Sequence, residues 1–263
     1  MRDIKNKLIT NGCDSLPDRE ANPLEKKPSC SCSEPSSLKA STRKKYDDQW
    51  GDQSEKAASD RRKSLSMVAD PLLCMVHPLS NKVVADLGIG TGSLAFRALE
   101  LCPPKMLIGI DFSSAGLCVS RSISRHTRFR DMDVELVRAD LERIPLASRS
   151  VDVVLSQATI NLLPDKATAM KEIARIAKPG ARIAISDAFK TSVCSNQGSW
   201  EQCIAGAVTV SEFSTLALDA GLIISGQVDL TQQVRMLVSA KRWDWPEFLE
   251  HNMDYRGFLL LRT

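Results

Sequence analysis

The chain has 263 residues, 43% of them hydrophobic and 25% charged, which excludes a fibrous or wholly disordered protein and fits one α/β core with appendages. Its 35 basic and 32 acidic side chains leave a formal charge of +3, too near balance for a nucleic-acid footprint, so no nucleic-acid partner is expected. No apolar run approaches the roughly 20 residues that span a bilayer, residues 1–14 lack an apolar signal core, and the eight cysteines read as reduced thiols, so a cytoplasmic protein without membrane partner is expected.

Residues 1–45 are rich in Ser, Lys, Pro and Asn without apolar periodicity, and are expected to form a disordered tail ahead of one domain over 46–263. Within the tail, Cys30 and Cys32 form a close thiol pair that reads as exposed cysteines before it reads as a soft-ion trap. From 54 to 77 the apolar positions, among them Leu65, Val68, Leu72 and Leu73, fit an amphipathic helix interrupted at Pro71. His77 beyond it, like His126 later, reads as a surface or capping group rather than a base.

Strands and helices then alternate: strand 82–87, helix 92–101, strand 106–111, helix 113–124, strands 134–138 and 151–156, helix 166–177 and strand 182–186. This order predicts a parallel sheet, and the short apolar strands, such as Val153-Val154-Leu155, predict helices on both faces. Lys178-Pro179-Gly180 reads as a helix stop. A helix over 211–220 and strands 222–228 and 257–261 close the sheet as an edge hairpin, with 231–255, carrying Trp243, Trp245 and Phe248, inserted as a cap or helical decoration.

The strongest local signal is Val83-Val84-Ala85-Asp86-Leu87-Gly88-Ile89-Gly90-Thr91-Gly92, a strand entering a glycine turn that opens a helix. Such a turn lets backbone approach a ligand at the carboxyl end of the sheet. The dinucleotide fingerprint Gly-x-Gly-x-x-Gly is not met, and Asp86 would repel a pyrophosphate while suiting a cofactor with an amino group and a sulfonium. Asp111, ending the second strand, is placed to accept from two ribose hydroxyls; the alternative is a helix N-cap, which Ser113 supplies equally well. Asp140 is placed to accept from an adenine amino group with Leu141 packing on the ring.

The stretches Asp86–Leu87 with the glycine turn, Gly109-Ile110-Asp111, 139–146 and Lys178-Pro179-Gly180 resemble the successive motifs of class I methyltransferases over roughly residues 46–263. Ile89 stands where the common turn has Cys. The resemblance implies S-adenosylmethionine, a Rossmann-like doubly wound seven-stranded sheet of order 3-2-1-4-5-7-6, and direct displacement of the methyl group. It adds Phe112 and Gln157 to the cofactor set, and Tyr46, with Trp50, resembles an aromatic segment that closes over the methionine end; packing of that segment on the sheet edge is the equal alternative. The strings Asn161-Leu162-Leu163-Pro164-Asp165-Lys166 and Cys203-Ile204-Ala205-Gly206-Ala207 are similar to those of arsenite methyltransferases, in which thiolates hold trivalent arsenic. That likeness implies a small-molecule acceptor, a trivalent arsenical supplied with a thiol reductant, and Cys203 and Cys74 as catalytic ligands. Ala158 stands where the family carries a further Cys, and Cys194, nine residues before Cys203, could substitute for it but reads first as a core or loop thiol. Cys102 and Cys118 read as structural, and no metal site is expected. The alternative acceptor is a carbon or oxygen of a small organic molecule such as a quinone or natural product; a binding protein without catalysis is disfavoured by the acidic trio, and an oxidoreductase by Asp86 and the glycine spacing.

Overall fold

The computed structural model describes residues 35–51, 53–191, 200 and 203–263. Helix α1 (Pro35–Gly51) and helix α2 (Glu55–Val76) precede a sheet built from β1 (Val83–Leu87), β2 (Met106–Asp111), β3 (Val134–Arg138), β4 (Val151–Gln157), β5 (Ala177–Phe189), β6 (Leu222–Asp229) and β7 (Asp254–Arg262). The strand order is β3-β2-β1-β4-β5-β7-β6, as expected. The first five strands run parallel, and β7 lies antiparallel between β5 and β6.

Every residue of β1 and β2 is buried, because successive side chains point to opposite faces and each face carries a helical layer. Val83, Ala85 and Leu87 belong to the same buried cluster as Met170 and Ile173 of α5 (Lys166–Ile176) and Phe213 of α6 (Val210–Asp219). On the opposite face Val84 packs with Leu72 and Leu73 of α2 and with Leu94 and Ala98 of α3 (Ser93–Leu101). Leu107 packs there with Phe96 of α3 and with Leu117 and Ile123 of α4 (Ser114–Arg125). Between β6 and β7 the insertion forms α7 (Thr231–Ser239) and α8 (Pro246–Glu250). Trp243, Trp245 and Phe248 from it pack with Tyr255 of β7. No helix among the described residues is long and apolar enough to cross a membrane.

Three expectations change. Residues 35–45, assigned to the tail, are the first part of α1; this helix has no apolar stripe for periodicity to reveal, and it is tethered by polar contacts. Residues 1–34, with Cys30 and Cys32, and also Cys194, lie outside the described residues. Pro71 does not interrupt α2: the carbonyl it leaves without a helical partner belongs to Met67, which is exposed, so water can take that bond. Finally, Lys178-Pro179-Gly180 follows the end of α5 but already belongs to β5, whose register against β4 shifts between Val151 and Val153; Gly180 takes φ 75° at this irregularity.

Candidate functional site

With the exceptions of Gly92 and Cys74, every residue expected at the site borders one cavity at the carboxyl ends of β1, β2 and β4. Its floor is the turn after β1. Gly88 and Ile89 donate backbone N–H to the Ile110 carbonyl at the end of β2 (2.8 and 3.1 Å). Gly88 and Gly90 both hold positive φ, 77° and 52°. A Cβ on Gly88 would collide with the Thr159 side chain, and one on Gly90 with the Trp50 ring, so only glycine lets these neighbours approach. Gly92 caps α3 rather than facing the cavity.

Asp111 Oδ2 accepts from Gly90 N (2.7 Å) and Oδ1 from Ser113 N (2.8 Å). The N-cap of α4 is Ser113, whose hydroxyl accepts from Gly116 N (3.1 Å), so Asp111 is free of the capping task. A carboxylate has about four acceptor positions, and the two backbone donors leave room for two further hydroxyls. Asp86 is 2% exposed, and its Oδ2 has no hydrogen-bond partner among the described residues. Burial and then the nearby charge of Asp111 push the Asp86 carboxyl up to about 7; burial pushes Asp111 up to about 6. Two buried carboxyls thus border one cavity, and among the described residues neither has an ion-pair partner.

Asp140 sits at the rim: Oδ1 accepts from Glu142 N (2.9 Å), and Oδ2 takes Lys39 of α1 (2.7 Å). Helix α1 therefore crosses the Asp140 end of the cavity. Lower down, Asp47 of α1 accepts from Ser113 Oγ (2.7 Å) and Ala115 N (3.1 Å), and the Trp50 indole lies against Gly90 and Gly116.

The opposite end of the cavity is built on the loop after β4. Asp187 of β5, fully buried, accepts from Thr159 N (3.1 Å), Asn161 N (3.1 Å) and Asn161 Nδ2 (2.9 Å), which pins this loop. The Asn161 carbonyl in turn lies where a Cβ on Gly206 would stand, so the turn carrying Cys203 packs directly on it. Cys203 is buried at φ 65°, and its thiol points at the Ala158 carbonyl, 3.9 Å away. Tyr46 donates its hydroxyl to the Cys203 sulfur. Burial, reinforced by Asp187, pushes the thiol well above its ordinary value, against the opposing pull of Lys45 and Lys166. Cys74 does not reach this place. It is exposed on α2, nine residues past Leu65 at the cavity wall, a distance of about 13 Å along a helix.

Sequence reasoning missed Arg61. It borders the cavity beside Leu65 and Tyr46, burial pulls it below its ordinary value, and no hydrogen bond or close ion pair holds its guanidinium among the described residues. The signal was a cation in an apolar stripe: Arg61, Leu65, Val68 and Leu72 follow the spacing of one helix face. Trp243 and Trp245, read as cap residues, also border the cavity, with Asp244 between them.

The arsenite methyltransferase of Halobacterium salinarum is 32% identical over 146 residues, covering 53% of this chain and 37% of that protein. The demethylmenaquinone methyltransferase of Lactiplantibacillus plantarum is 36% identical over 112 residues, covering 42% of this chain and 47% of that one. The chain thus spans less than half the length of either relative. A crystal structure of geranyl diphosphate C-methyltransferase from Streptomyces coelicolor A3(2), in complex with S-adenosyl-L-homocysteine, shares the fold at a TM-score of 0.63 and 17% identity, covering 75% of this chain and 79% of that one. A family model described as a methyltransferase domain matches residues 78–231, more than half of the 263 residues, and the chain belongs to the methyltransferase domain family.

Proposed function

We propose that the protein is an S-adenosylmethionine-dependent methyltransferase. One observation carries this reading: two buried carboxyls, Asp86 and Asp111, border a glycine-floored cavity and, among the described residues, have no ion-pair partner. A ligand with a cationic amino group and a sulfonium supplies it, whereas a pyrophosphate would be repelled. Asp86 suits the amino group, Asp111 the ribose hydroxyls, and Arg61 the carboxylate of the methionine. Phe112 and Leu141 form walls for an adenine ring, with Asp140 at its edge. Gln157, which borders the cavity beside Ala158, stands between this half and the acceptor half.

The donor supplies a methyl group on sulfur, which a lone pair removes by direct displacement. The protein's task is then alignment and exclusion of water. Helix α1 covers the donor end, and Trp243 and Trp245 wall the acceptor end. Calorimetry checks the reading: S-adenosylmethionine binds the native chain, and Asp111→Ala weakens binding by roughly tenfold or more, as expected when a charged hydrogen-bond acceptor is removed from a buried site. Undiminished affinity in the variant would sink it.

For the acceptor, the reading best supported is a trivalent arsenical bound at Cys203 and delivered as a conjugate of a thiol reductant, in the reducing cytoplasm. Its support is the buried thiol facing the cavity, together with the strings 161–166 and 203–207 and the activity named for the Halobacterium relative. A soft sulfur suits a soft centre. Ala158 favours a second reading, methylation of a carbon or oxygen of a small organic molecule. Incubation with labelled cofactor, glutathione and arsenicals separates the two: methylarsenicals formed by the native chain and lost in Cys203→Ser support the first, and label in an extract metabolite supports the second.

A further inference from the structure

The charged side chains bordering the cavity are Lys39, Arg61, Asp86, Asp111, Asp140 and Asp244. Most are accounted for by what surrounds them. Lys39 bonds Asp140 (2.7 Å), Asp111 accepts from Gly90 N (2.7 Å) and Ser113 N (2.8 Å), and Asp244 is exposed. Two remain, one of each sign. Asp86 is buried, and its Oδ2 has no hydrogen-bond partner among the described residues. Arg61 has neither a hydrogen bond nor a close ion pair among them, and the charges it feels are those of Tyr46 and Asp244. The next residue shows the contrast. Arg62 is buried too, but it gives Nε to Glu100 (3.0 Å) and Nη2 to Ser59 (3.3 Å), so α2 satisfies a guanidinium where only the fold requires one.

We propose that Arg61 and Asp86 form a selective clamp for the zwitterionic headgroup of an α-amino acid, Asp86 taking the ammonium and Arg61 the carboxylate. Burying a charge without a partner is costly, and here two of opposite sign border one cavity without reaching each other. One ligand that carries both complementary charges offsets both costs. A pyrophosphate would suit Arg61 and be repelled at Asp86, and a simple amine would leave the guanidinium open. Arginine fits a carboxylate because its planar fork gives two parallel N–H bonds. The fork is also borne on a helix, one turn before Leu65, which borders the same cavity. Two molecules bring such a headgroup: the methionine end of the donor, which rests on the methyltransferase reading given above, or an acceptor that is itself an amino acid. The donor is favoured, because Asp86 stands two residues before Gly88, at the floor of the cavity.

The test is calorimetry on the whole chain. S-adenosylmethionine, its decarboxylated analogue and methylthioadenosine, which lacks the whole headgroup, are titrated in turn. The native chain should bind the decarboxylated analogue roughly tenfold or more weakly than S-adenosylmethionine. Arg61→Met should remove that preference by weakening only the carboxylate-bearing ligand, while methylthioadenosine binds as before and shows that the variant is folded. Asp86→Asn should instead weaken S-adenosylmethionine and the decarboxylated analogue by the same factor, since both carry the amine. A second arm addresses the acceptor: glycine is titrated at millimolar concentration into the chain saturated with S-adenosylhomocysteine, and into the chain alone. Glycine binding that Arg61→Met abolishes, without a donor preference in the native chain, assigns the clamp to an amino-acid acceptor. Equal losses for both donors in Arg61→Met, or no effect of Arg61 in either arm, overturns the clamp. The failures separate: a chain that binds S-adenosylmethionine without any dependence on Arg61 loses this inference alone, and one that binds no adenosyl ligand loses the methyltransferase reading, keeping the clamp only if glycine binds through Arg61.

Discussion

Asp86 is a carboxyl that the folded chain holds protonated at a pH where the unfolded chain does not. Its ordinary value is 3.8 and its folded value about 7, so stability from this group is fully present below pH ~4 and is lost as pH rises toward 7. A bound cation reverses the preference by favouring the ionised form. Cofactor binding at pH ~6 should therefore release protons, seen as a dependence of the calorimetric heat on the ionisation enthalpy of the buffer. Asp86→Asn should raise the Tm of the free protein by about 2–4 °C, the equivalent of about 1 kcal/mol in a chain of this size, while weakening cofactor binding by roughly tenfold. A variant that loses both stability and affinity would show that Asp86 has a packing role instead. Asp86, Asp111 and Cys203 were legible because each sits at a fixed offset from a turn or string. Arg61 was not: a guanidinium inside an apolar stripe looks like noise in the pattern until a cavity is seen opposite it.

Among the elements, α1 was the least legible. Amphipathic periodicity is the main signal of a helix, and α1 lacks it. It is tethered instead by Asp47 at the N-terminus of α4, by Lys39 on Asp140 and Glu142, and by Trp50 on Gly90 and Gly116. These contacts differ in strength. Lys39 and Asp140 are 30% and 37% exposed, so Lys39→Ala should cost no more than about 1 kcal/mol. Trp50→Ala removes the indole packed on the glycine turn and should release the helix: its amides should exchange hydrogen markedly faster, and cofactor affinity should fall with them. Unchanged exchange would place the anchor elsewhere. The strands were read almost residue by residue, since a short apolar run between turn signals needs no tertiary information. Pro71 misled because a lone proline need not end a helix whose flanking turns are packed on the core, as those of α2 are through Val68, Leu72 and Leu73.

Across the whole molecule, alternation of strands and helices made the parallel sheet legible, but its strand order came from the resemblance and not from periodicity. The core that closes the far side was invisible in sequence. Phe189 of β5, Phe213 of α6 and Phe258 of β7 converge with ring centroids 5.0 to 5.4 Å apart, joining segments remote in sequence. Phe258→Ala should cost about 3–5 kcal/mol, measured as a drop in the denaturant midpoint with the slope unchanged; a loss below about 1 kcal/mol would mean that the sheet there is held by its ladder alone. The placement of β7 also has a consequence for synthesis. Both of its neighbours, β5 and β6, leave the ribosome first, and among the described strands β6 pairs with β7 alone. A nascent chain therefore waits with an open edge on β5 and an unpaired ribbon until residues 254–262 arrive to zip them together, and a message cut short just before that point would yield a product with exposed strands and a tendency to aggregate.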